Sequence, residues 1–425
     1  MTTEVNTPLA KLILELTTDA CVASRTLADQ DTKTKNGILL EIANTLDSKT
    51  TRHQLLKANE KDLGAAQDKG IVGAMLDRLT LDDKLINSMI QGLEDVAKLP
   101  DPVGVVRKSW TRPNGLQVAK QTIPIGVVGI IYEARPNVTI DAFSLCFKAG
   151  NATVLKGGSE AIYSNRALVE TISKVLAQSD LENTCQFIDS TNREAVSILL
   201  KQEENVDVVI PRGGEQLIRF VTENSRIPVI KHYKGVCHVY VDEVADIDMA
   251  VAIATNAKIS RPAVCNSLET LLIHEKVAST FLPIFSEKMK DANVELRGDN
   301  HSQTILPDIK KATEEDYYAE YLDLILAVRV VSRMDEAIDH IEKYGSSHTE
   351  AIVTESTPRA QKFLNRVNSS VVMVNASTRF ADGGELGLGA EIGISTSKLH
   401  AYGPMGLEDL VAEKFVIRGN GQTRT

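Results

Sequence analysis

Two apolar segments, Gly126-Val-Val-Gly-Ile-Ile-Tyr132 and Ala152-Thr-Val-Leu155, indicate the fold class of this 425-residue chain. Further apolar runs follow at residues 186–188, 206–210 and 227–230. Helix-like segments separate them at about 138–149, 160–178, 191–201 and 214–225. Apolar runs of this length are typical of strands buried on both faces, and their alternation with helices indicates a parallel sheet. Nucleotides commonly bind at the carboxyl ends of the strands in such a sheet.

The region before these strands has a helical pattern. Thr7-Pro8 is a favourable helix start, because a hydroxyl cap precedes a proline whose missing N–H costs nothing there. Apolar spacing predicts that the first helix continues to about residue 27, and that others follow at about 32–47, 51–68 and 81–98. Alternation at 117–121 then predicts half of an exposed β-ribbon.

A second α/β unit begins near Val236. It is predicted to contain strands at 239–241, 268–273, 326–331, 351–353 and 371–374. Its helices are predicted at about 277–290 and 334–343, with an earlier one opened by Asp246 or Asp248. A glycine-rich stretch at 383–393 precedes a last strand-like run at 411–417. Chain length alone predicts two or three domains.

The composition favours a soluble enzyme, with 43% hydrophobic and 24% charged residues. A net charge of −10 argues against nucleic acid as a partner, which requires a basic surface. We see no apolar stretch of membrane-spanning length and no secretory signal pattern. The five cysteines include no Cys-x-x-Cys motif and predict thiols in a reducing compartment. We therefore expect a cytoplasmic protein without membrane contact.

Cys265 is a candidate nucleophile. It lies in a loop of small and polar residues just before a predicted strand, where its sulfur can face a cleft. The alternative is that Cys265 is a small buried hydrophobic residue, which is the commonest role of such a cysteine. From the residues alone the two readings are evenly balanced. Cys146, Cys185 and Cys237 lie in apolar patterns and fit the core role well.

Two glycine turns are candidate nucleotide contacts. Lys156-Gly157-Gly158-Ser159 follows one predicted strand directly, and Arg212-Gly213-Gly214 follows another just before a helix. Glycine lets a ligand approach the backbone, and the N–H groups of a helix start attract phosphate. Each turn is equally consistent with an ordinary α/β connection. The eight histidines lack metal-ligand spacing, and the acidic run at 314–316 predicts a solvated face.

These segments, in this order, resemble the aldehyde dehydrogenase superfamily, and within it the γ-glutamyl phosphate reductase family (glutamate-5-semialdehyde dehydrogenases). The resemblance covers essentially the whole chain. Its most specific segments are Ile131-Tyr-Glu-Ala-Arg-Pro-Asn-Val-Thr139, His340-Ile-Glu-Lys-Tyr-Gly-Ser-Ser-His-Thr-Glu-Ala-Ile352, Val374-Asn-Ala-Ser-Thr-Arg-Phe380, Gly384-Glu-Leu-Gly-Leu-Gly-Ala390 and His400-Ala-Tyr-Gly-Pro-Met-Gly-Leu407.

The resemblance implies an aldehyde dehydrogenase-like α/β fold. It predicts a Rossmann-type dinucleotide-binding domain over residues 1–105 and 126–235 and a second α/β catalytic domain over 236–380. It also implies a small β-flap, formed by 106–125 and 405–425, through which subunits assemble into a homodimer or homotetramer. An isolated ribbon of this kind is marginal in water unless a partner covers it. The alternative is that these strands extend the core sheets of one subunit.

The resemblance further implies NADPH-dependent reduction of L-glutamate 5-phosphate to L-glutamate 5-semialdehyde and phosphate, a step of proline biosynthesis. Cys265 takes the nucleophile's role and carries a thioacyl intermediate, and glutamate 5-kinase is a candidate partner. The implied cofactor-binding residues are Lys156, Gly157, Gly158, Ser159, Gly213, Gly214 and Glu320. The implied substrate-binding residues are Glu133, Arg135, Asn137, Asn375 and Arg379. Arg135 and Arg379 suit the anionic groups and Glu133 the α-ammonium group.

One departure from the wider superfamily bears on the reaction. Hydrolytic members carry a Glu-Leu-Gly-Gly segment whose glutamate activates water, whereas this chain has His232-Tyr-Lys-Gly235. An acyl-enzyme without that carboxylate should resist water, although His232 is a possible base. Two rival functions therefore remain: a hydrolytic semialdehyde dehydrogenase, and a catalytically silent scaffold with the same fold. The oxyanion donor is also open, because Glu133 falls near the position of the superfamily's oxyanion-binding asparagine and Asn137 lies a few residues on; the Cys265 backbone N–H is a candidate for half of the oxyanion hole.

Overall fold

The computed structural model describes residues 7–424 and contains two compact units. The first unit comprises the chain up to Lys231, together with Leu388–Gly393 and the chain from Met405 onward. The second unit comprises His232–Gly387 and Ile394–Pro404. Each unit has its own parallel sheet.

Five helices open the first unit: α1 Pro8–Ala28, α2 Thr32–Asp47, α3 Lys49–Asp68, α4 Ala74–Leu79 and α5 Asp83–Lys98. Side-chain caps set four of the starts, because the oxygens of Thr7, Asp31, Ser48 and Asp82 each accept a backbone N–H from the first turn. The four predicted helices are confirmed. Only the six-residue α4 was not predicted, since it is too short to show a periodic pattern.

Strands β1 Val106–Thr111 and β2 Gln117–Pro124 follow. The first parallel sheet then contains β3 Val127–Tyr132, β4 Ala152–Gly157, β5 Cys185–Phe187 and β6 Val208–Arg212, in the order β5-β4-β3-β6. Helices α6 Val138–Lys148, α7 Ile162–Leu176, α8 Glu194–Leu199 and α9 Glu215–Asn224 connect and cover these strands. The predicted strand at 227–230 is wrong as an element: it forms one bridge, between Val209 and Val229. Pro228 lacks an N–H and cannot extend a ladder.

The second unit is built on a parallel sheet of seven strands, in the order β10-β9-β11-β8-β7-β12-β13. The strands are β7 Cys237–Val241, β8 Leu268–His274, β9 Glu295–Gly298, β10 Lys310–Lys311, β11 Ile325–Val331, β12 Thr349–Val353 and β13 Val371–Val374. The helices are α10 Ile247–Ile259, α11 Glu275–Asp291, α12 Asn300–Ile305, α13 Glu314–Tyr318, α14 Met334–Tyr344 and α15 Thr357–Arg366. Asp246, not Asp248, caps α10.

The acidic run at 314–316 corrects one expectation. Glu314 and Glu315 are exposed, but Asp316 is buried. Its carboxylate accepts hydrogen bonds from Arg297, Thr313 and Tyr321, and these contacts hold its pKa at about 2 despite burial. Asp316 is therefore a structural anchor rather than part of a solvated face.

The chain ends with β14 Gly393–Ser395, β15 Gly403–Met405 and β16 Val411–Arg418. Strands β1, β2 and β16 form an antiparallel sheet of their own, with Trp110 and Phe415 in edge-to-face contact at 6.3 Å. The alternative in which these strands extend a core sheet is therefore wrong. Phe415 and Ile417 are 62% and 59% exposed, so this small sheet has apolar side chains that the chain itself leaves uncovered.

Candidate active site

In the first unit, the predicted cofactor residues meet at the carboxyl edge of the parallel sheet. Tyr132 of β3 pairs in register with Gly157 of β4 on one side and Arg212 of β6 on the other. The residues that follow these strands therefore leave the sheet side by side. The structure brings together the turn after β4, the turn after β6 and the segment Glu133–Asn137 between them.

Two carboxylates tie these strand ends to one another. Glu133 Oε2 accepts the backbone N–H of Gly214 at 2.8 Å, and Glu160 Oε1 accepts the N–H of Ala134 at 2.6 Å. A Cβ atom on Gly213 would lie 2.4 Å from Glu133 Oε2, so a larger residue here would require the Glu133 carboxylate to move. Peptide N–H groups at this edge thus bind anionic oxygens, which is the property a nucleotide phosphate requires.

Lys156 and Ser159 occupy contrasting environments in the turn after β4. Lys156 is buried and donates from Nζ to the carbonyl of Gly157 at 2.6 Å. Burial lowers the pKa of Lys156, while the charges of Glu160 and Asp189 oppose that effect. Ser159 is exposed at the start of a 3₁₀ turn, Ser159–Ala161. Their assignment to the cofactor stays a prediction.

The segment after β3 also carries Arg135 and Asn137. Arg135 is exposed, whereas Asn137 is half-buried and donates from Nδ2 to Asp141 Oδ2 at 2.8 Å. Burial raises the pKa of Asp141 to about 6, against the opposing effects of Asn137 and Arg212. In this structure the Asn137 amide is bound within the first turn of α6.

In the second unit, Cys265 is half-buried in the loop that joins α10 to β8. The N–H of Ser267 donates to the carbonyl of Val264 at 3.1 Å, so Cys265 lies in a tight turn. The neighbouring Asn266 is buried and donates from Nδ2 to the carbonyl of Ala381 at 2.9 Å. The loop is therefore fixed on the side that leads into the sheet.

The other cysteines near the two sheets are core residues, as predicted. Cys146, Cys185 and Cys237 are buried, and burial raises the pKa of each thiol, that of Cys185 to about 12. Cys237 also has a local task, because its Sγ donates to the carbonyl oxygen of Cys265 at 3.2 Å. This contact ties the backbone of Cys265 to the start of strand β7.

The segment that replaces Glu-Leu-Gly-Gly lies directly against Cys265. A Cβ atom on Gly235 would lie 1.9 Å from the carbonyl oxygen of Cys265 and 2.7 Å from its Cα atom. The N–H of Gly235 donates to Glu320 Oε1 at 2.8 Å. Glu320, which the resemblance assigns to the cofactor, therefore also positions the Gly235 backbone. His232 Nδ1 lies 3.0 Å from the carbonyl oxygen of Ile394.

Sequence analysis missed a buried ion pair beneath this loop. Lys258 Nζ lies 2.7 Å from Glu269 Oε2, and both side chains are fully buried. Glu269 Oε1 accepts the N–H of Leu322 at 3.1 Å, which ties the pair to the segment that carries Glu320. Burial raises the pKa of Glu269 to about 7 against the attraction of Lys258, and it lowers the pKa of Lys258. A glutamate in the otherwise apolar start of β8 was the available signal.

The predicted substrate residues of this unit differ in their contacts. Asn375 adopts a left-handed φ of 54°, and its amide both accepts the N–H of Thr354 and donates to that residue's carbonyl. Arg379 is half-buried and donates from Nε to Ser260 Oγ at 3.2 Å. Both amide atoms of Asn375 are thus bound to Thr354, whereas Arg379 lies in the turn 378–380 and contacts the loop that contains Cys265.

Between residues 7 and 424, no three His, Cys, Asp or Glu side chains converge in a way that would hold a metal ion. No helix in the same range combines the length and apolar character needed to cross a membrane.

Comparison with known proteins identifies the family. Residues 9–323 match the model of the aldehyde dehydrogenase family. The chain is 56% identical over 417 residues to a γ-glutamyl phosphate reductase of Geobacter metallireducens, covering 98% of this chain and 99% of the relative. A second such enzyme, of Desulfatibacillum aliphaticivorans, is 58% identical over 416 residues with the same coverage.

Solved structures agree. The crystal structure of γ-glutamyl phosphate reductase from Thermotoga maritima superposes with a TM-score of 0.95 at 45% identity, covering 97% of this chain and all of the other. An engineered glycolyl-CoA reductase with bound NADP⁺ shares the fold at a TM-score of 0.66 and 15% identity, covering 96% of this chain and 94% of the other. The chain therefore belongs to the aldehyde dehydrogenase family and, within it, to the γ-glutamyl phosphate reductases.

Proposed function

We propose that this enzyme reduces L-glutamate 5-phosphate to L-glutamate 5-semialdehyde with NADPH, through a thioacyl intermediate on Cys265. The observation that carries the proposal is the setting of Cys265. Its thiol is half-buried in a tight turn, and its carbonyl is held by Cys237 and by the close approach of Gly235. A nucleophile in a fixed backbone keeps its attack geometry from one turnover to the next.

The residues around Cys265 support three tasks. The thiol forms the bond to C5 of the substrate while phosphate leaves with the electron pair of the broken C–O bond. The backbone N–H of Cys265 is the candidate donor to the oxyanion that develops on the same carbonyl. Collapse of the hemithioacetal after reduction returns the sulfur as a thiol and releases the aldehyde. Cys237 and Gly235 act by holding the turn in which these steps occur.

Enzymes of the aldehyde dehydrogenase family use nicotinamide cofactors. In this chain the candidates to hold NADPH are Lys156, Gly157, Gly158, Ser159, Gly213, Gly214 and Glu320. The first unit suits the group, because the N–H groups of Ala134 and Gly214 bind carboxylate oxygens at the carboxyl edge of the sheet. When bound, NADPH supplies the hydride for reduction of the thioester. Exposed Ser159, near the positive Lys156, favours the 2′-phosphate of NADPH over NADH.

The contacts of the His232–Gly235 segment support reduction over hydrolysis. The position occupied by a glutamate in hydrolytic relatives carries His232, whose Nδ1 faces the carbonyl of Ile394. No residue of this segment has a carboxylate, so it provides no counterpart of that base. Under this proposal the acyl-enzyme reacts with hydride in the reductive direction and with phosphate in the oxidative direction, and not with water.

The decisive experiment runs the reaction both ways. In the forward direction, NADPH absorbance is followed with glutamate, ATP and a glutamate kinase, which supplies the labile acyl phosphate in place. In the oxidative direction, the semialdehyde and NADP⁺ are mixed with and without inorganic phosphate. We expect NADPH formation to require phosphate, and mass spectrometry without phosphate to find a γ-glutamyl group on Cys265. Sustained turnover without phosphate would identify a hydrolytic dehydrogenase, and no turnover in either direction would favour a silent scaffold.

A further inference from the structure

The loop that carries Cys265 also brings two arginines into its neighbourhood. Arg379 donates from Nε to the hydroxyl of Ser260 at 3.2 Å, and Arg261 is the next residue in the chain. At the other end of the loop, Asn266 donates to the carbonyl of Ala381 at 2.9 Å. The turn that holds Arg379 is thus fastened to both ends of the 260–266 loop. Cys265 lies within that loop.

Arg379 is half-buried and Arg261 is exposed, and both differ in their partners from the other half-buried arginines of the second unit. Arg297, Arg329 and Arg359 each form an ion pair with at least one carboxylate, at distances of 2.6–3.1 Å. Within residues 7–424, neither Arg261 nor Arg379 has a carboxylate oxygen within ion-pair distance. Burial lowers the pKa of Arg379 and the positive charge of Arg261 lowers it further, while the charges of Asp382, Cys265 and Glu385 oppose these two effects.

Two adjacent cations that lack a direct ion pair repel one another, and desolvation of Arg379 adds to the cost, which the charges of Asp382 and Glu385 offset only in part. An anionic ligand removes that cost. Guanidinium groups bind phosphate and carboxylate through paired N–H donors, and two of them match the double negative charge of a phosphoryl group. The pair is therefore suited to an anion that is present during part of the catalytic cycle.

We infer that Arg261 and Arg379 form the subsite for the phosphoryl group of the acyl phosphate, an inference that rests on the proposed function. The substrate has two anionic groups, and their positions relative to the reacting carbon separate them. The phosphoryl oxygen is bonded to C5 itself, the carbon that the Cys265 sulfur attacks, whereas the α-carboxylate lies at the other end of the five-carbon chain. Arg261 lies on the loop of Cys265 and Arg379 lies on the turn bonded to that loop, so we assign the pair to the first group.

The subsite has a defined part in the chemistry. As the sulfur–carbon bond forms, the C5–O bond to phosphate breaks and its electron pair stays on the phosphate oxygen. The thiol proton ends on the departing group, so that thiol and acyl phosphate give thioester and hydrogen phosphate. Arg261 and Arg379 stabilise the negative charge that grows on that oxygen. In the oxidative direction the same pair binds inorganic phosphate before it attacks the thioester.

The oxidative direction allows a direct test, because inorganic phosphate is then a substrate with its own KM. The variants are Arg261→Gln and Arg379→Gln, with Arg261→Lys to keep the charge without the paired donors. Arg333→Gln, at an exposed position at the start of α14, is the matched control. We expect the phosphate KM to rise about 10-fold to 100-fold in each Gln variant, as for loss of a charge-assisted hydrogen-bond pair. The KM for the semialdehyde should stay within about twofold of the wild-type value. Arg261→Lys should raise the phosphate KM less than Arg261→Gln does, and the control Arg333→Gln should leave it unchanged.

A binding measurement accompanies the kinetics. Phosphate should slow alkylation of Cys265 by iodoacetamide in the wild-type enzyme and should fail to do so in Arg261→Gln, with circular dichroism confirming that the variant is folded. A raised semialdehyde KM with an unchanged phosphate KM would overturn the inference in favour of the α-carboxylate. Equal protection by phosphate in wild type and variant would also overturn it. If the wild-type enzyme turns over without phosphate, the proposed function fails, and the protection measurement still decides the subsite.

Discussion

Gly235→Ala is the substitution for which the structure predicts the clearest loss of activity. The new Cβ atom would lie 1.9 Å from the carbonyl oxygen of Cys265, where real contacts essentially never fall below 3.0 Å. The obstructing atoms belong to the backbone, so no side-chain rotation can relieve the overlap. The Gly235 segment or the Cys265 turn must therefore move by about 1.1 Å.

That displacement sets the size of the effect. The hydrogen bonds from Cys237 to Cys265 and from Gly235 to Glu320 both span the affected segments, so neither can move without straining one of them. A shift of about 1 Å at a reacting group costs about 100-fold in rate. We expect kcat in the phosphate-dependent oxidation to fall by about that factor, while overpacking lowers the free energy of unfolding by about 1–3 kcal/mol.

The assay compares kcat, the KM values and the rate of Cys265 alkylation in the variant and the wild type. Gly37→Ala is the matched control, because it lies in α2 and an added Cβ atom meets nothing within 4 Å. It should leave kcat unchanged and raise the free energy of unfolding by about 0.5–1 kcal/mol. A Gly235→Ala enzyme with kcat within threefold of wild type would show that the backbone contact does not position the nucleophile.

Further expectations concern the thiol, the cofactor, acid stability and assembly. Cys265→Ser should remove nearly all turnover and leave the melting temperature unchanged, and wild-type turnover in this variant would refute the covalent mechanism. Cys146→Ser in the core should lower the melting temperature and have a smaller effect on turnover. Ser159→Glu should shift the ratio of kcat/KM values from NADPH towards NADH, and equal efficiency of both cofactors in the wild type would count against the assignment. Burial lowers the pKa of His348 to about 3, so its contribution to stability is full above the unfolded value of about 6.5 and is lost as the pH falls towards 3. From pH 7 to pH 5, the free energy of unfolding measured in urea should therefore fall by about 2 kcal/mol more for the wild type than for His348→Gln. Equal falls would contradict the lowered pKa of His348. Light scattering should find a homodimer or a dimer of dimers, and deletion of residues after about 405 should give a poorly soluble, inactive chain; a fully active monomer at micromolar concentration would refute this.

The sequence allowed the long, regular elements to be predicted because their signals are local. Helix α2 was predicted with its observed limits, since Asp31 caps it and its apolar spacing is clear. The missed elements are short ones, such as α12 and the two-residue β10. Their formation depends on pairing with β9 and packing on the sheet, which no window of sequence contains.

The candidate site shows the same division. Cys265 and the glycine turns could be proposed as site residues because each follows or precedes a recognisable strand. The roles of Gly235 and of the pair Lys258–Glu269 were not, because they depend on contacts between residues far apart in the chain. Even Asp316, placed in an acidic run, proved to be buried through its contact with Arg297, 19 residues away.

The hydrogen bonds also rank the predicted substrate residues. Glu133 and Asn137 each have one polar side-chain atom bound to the chain itself, whereas Asn375 has both, so a substrate contact at Asn375 exchanges an existing hydrogen bond for a new one. Such an exchange adds little net free energy, because one satisfied contact is lost for each one gained. Among residues 7–424, the Arg379 side chain donates to the Ser260 hydroxyl and lies next to a like charge, with the carboxylates of Asp382 and Glu385 near it but not ion-paired to it, so an anion can bind without displacing a carboxylate. Anion binding in the second unit should therefore depend more on Arg379 and Arg261 than on the amide of Asn375.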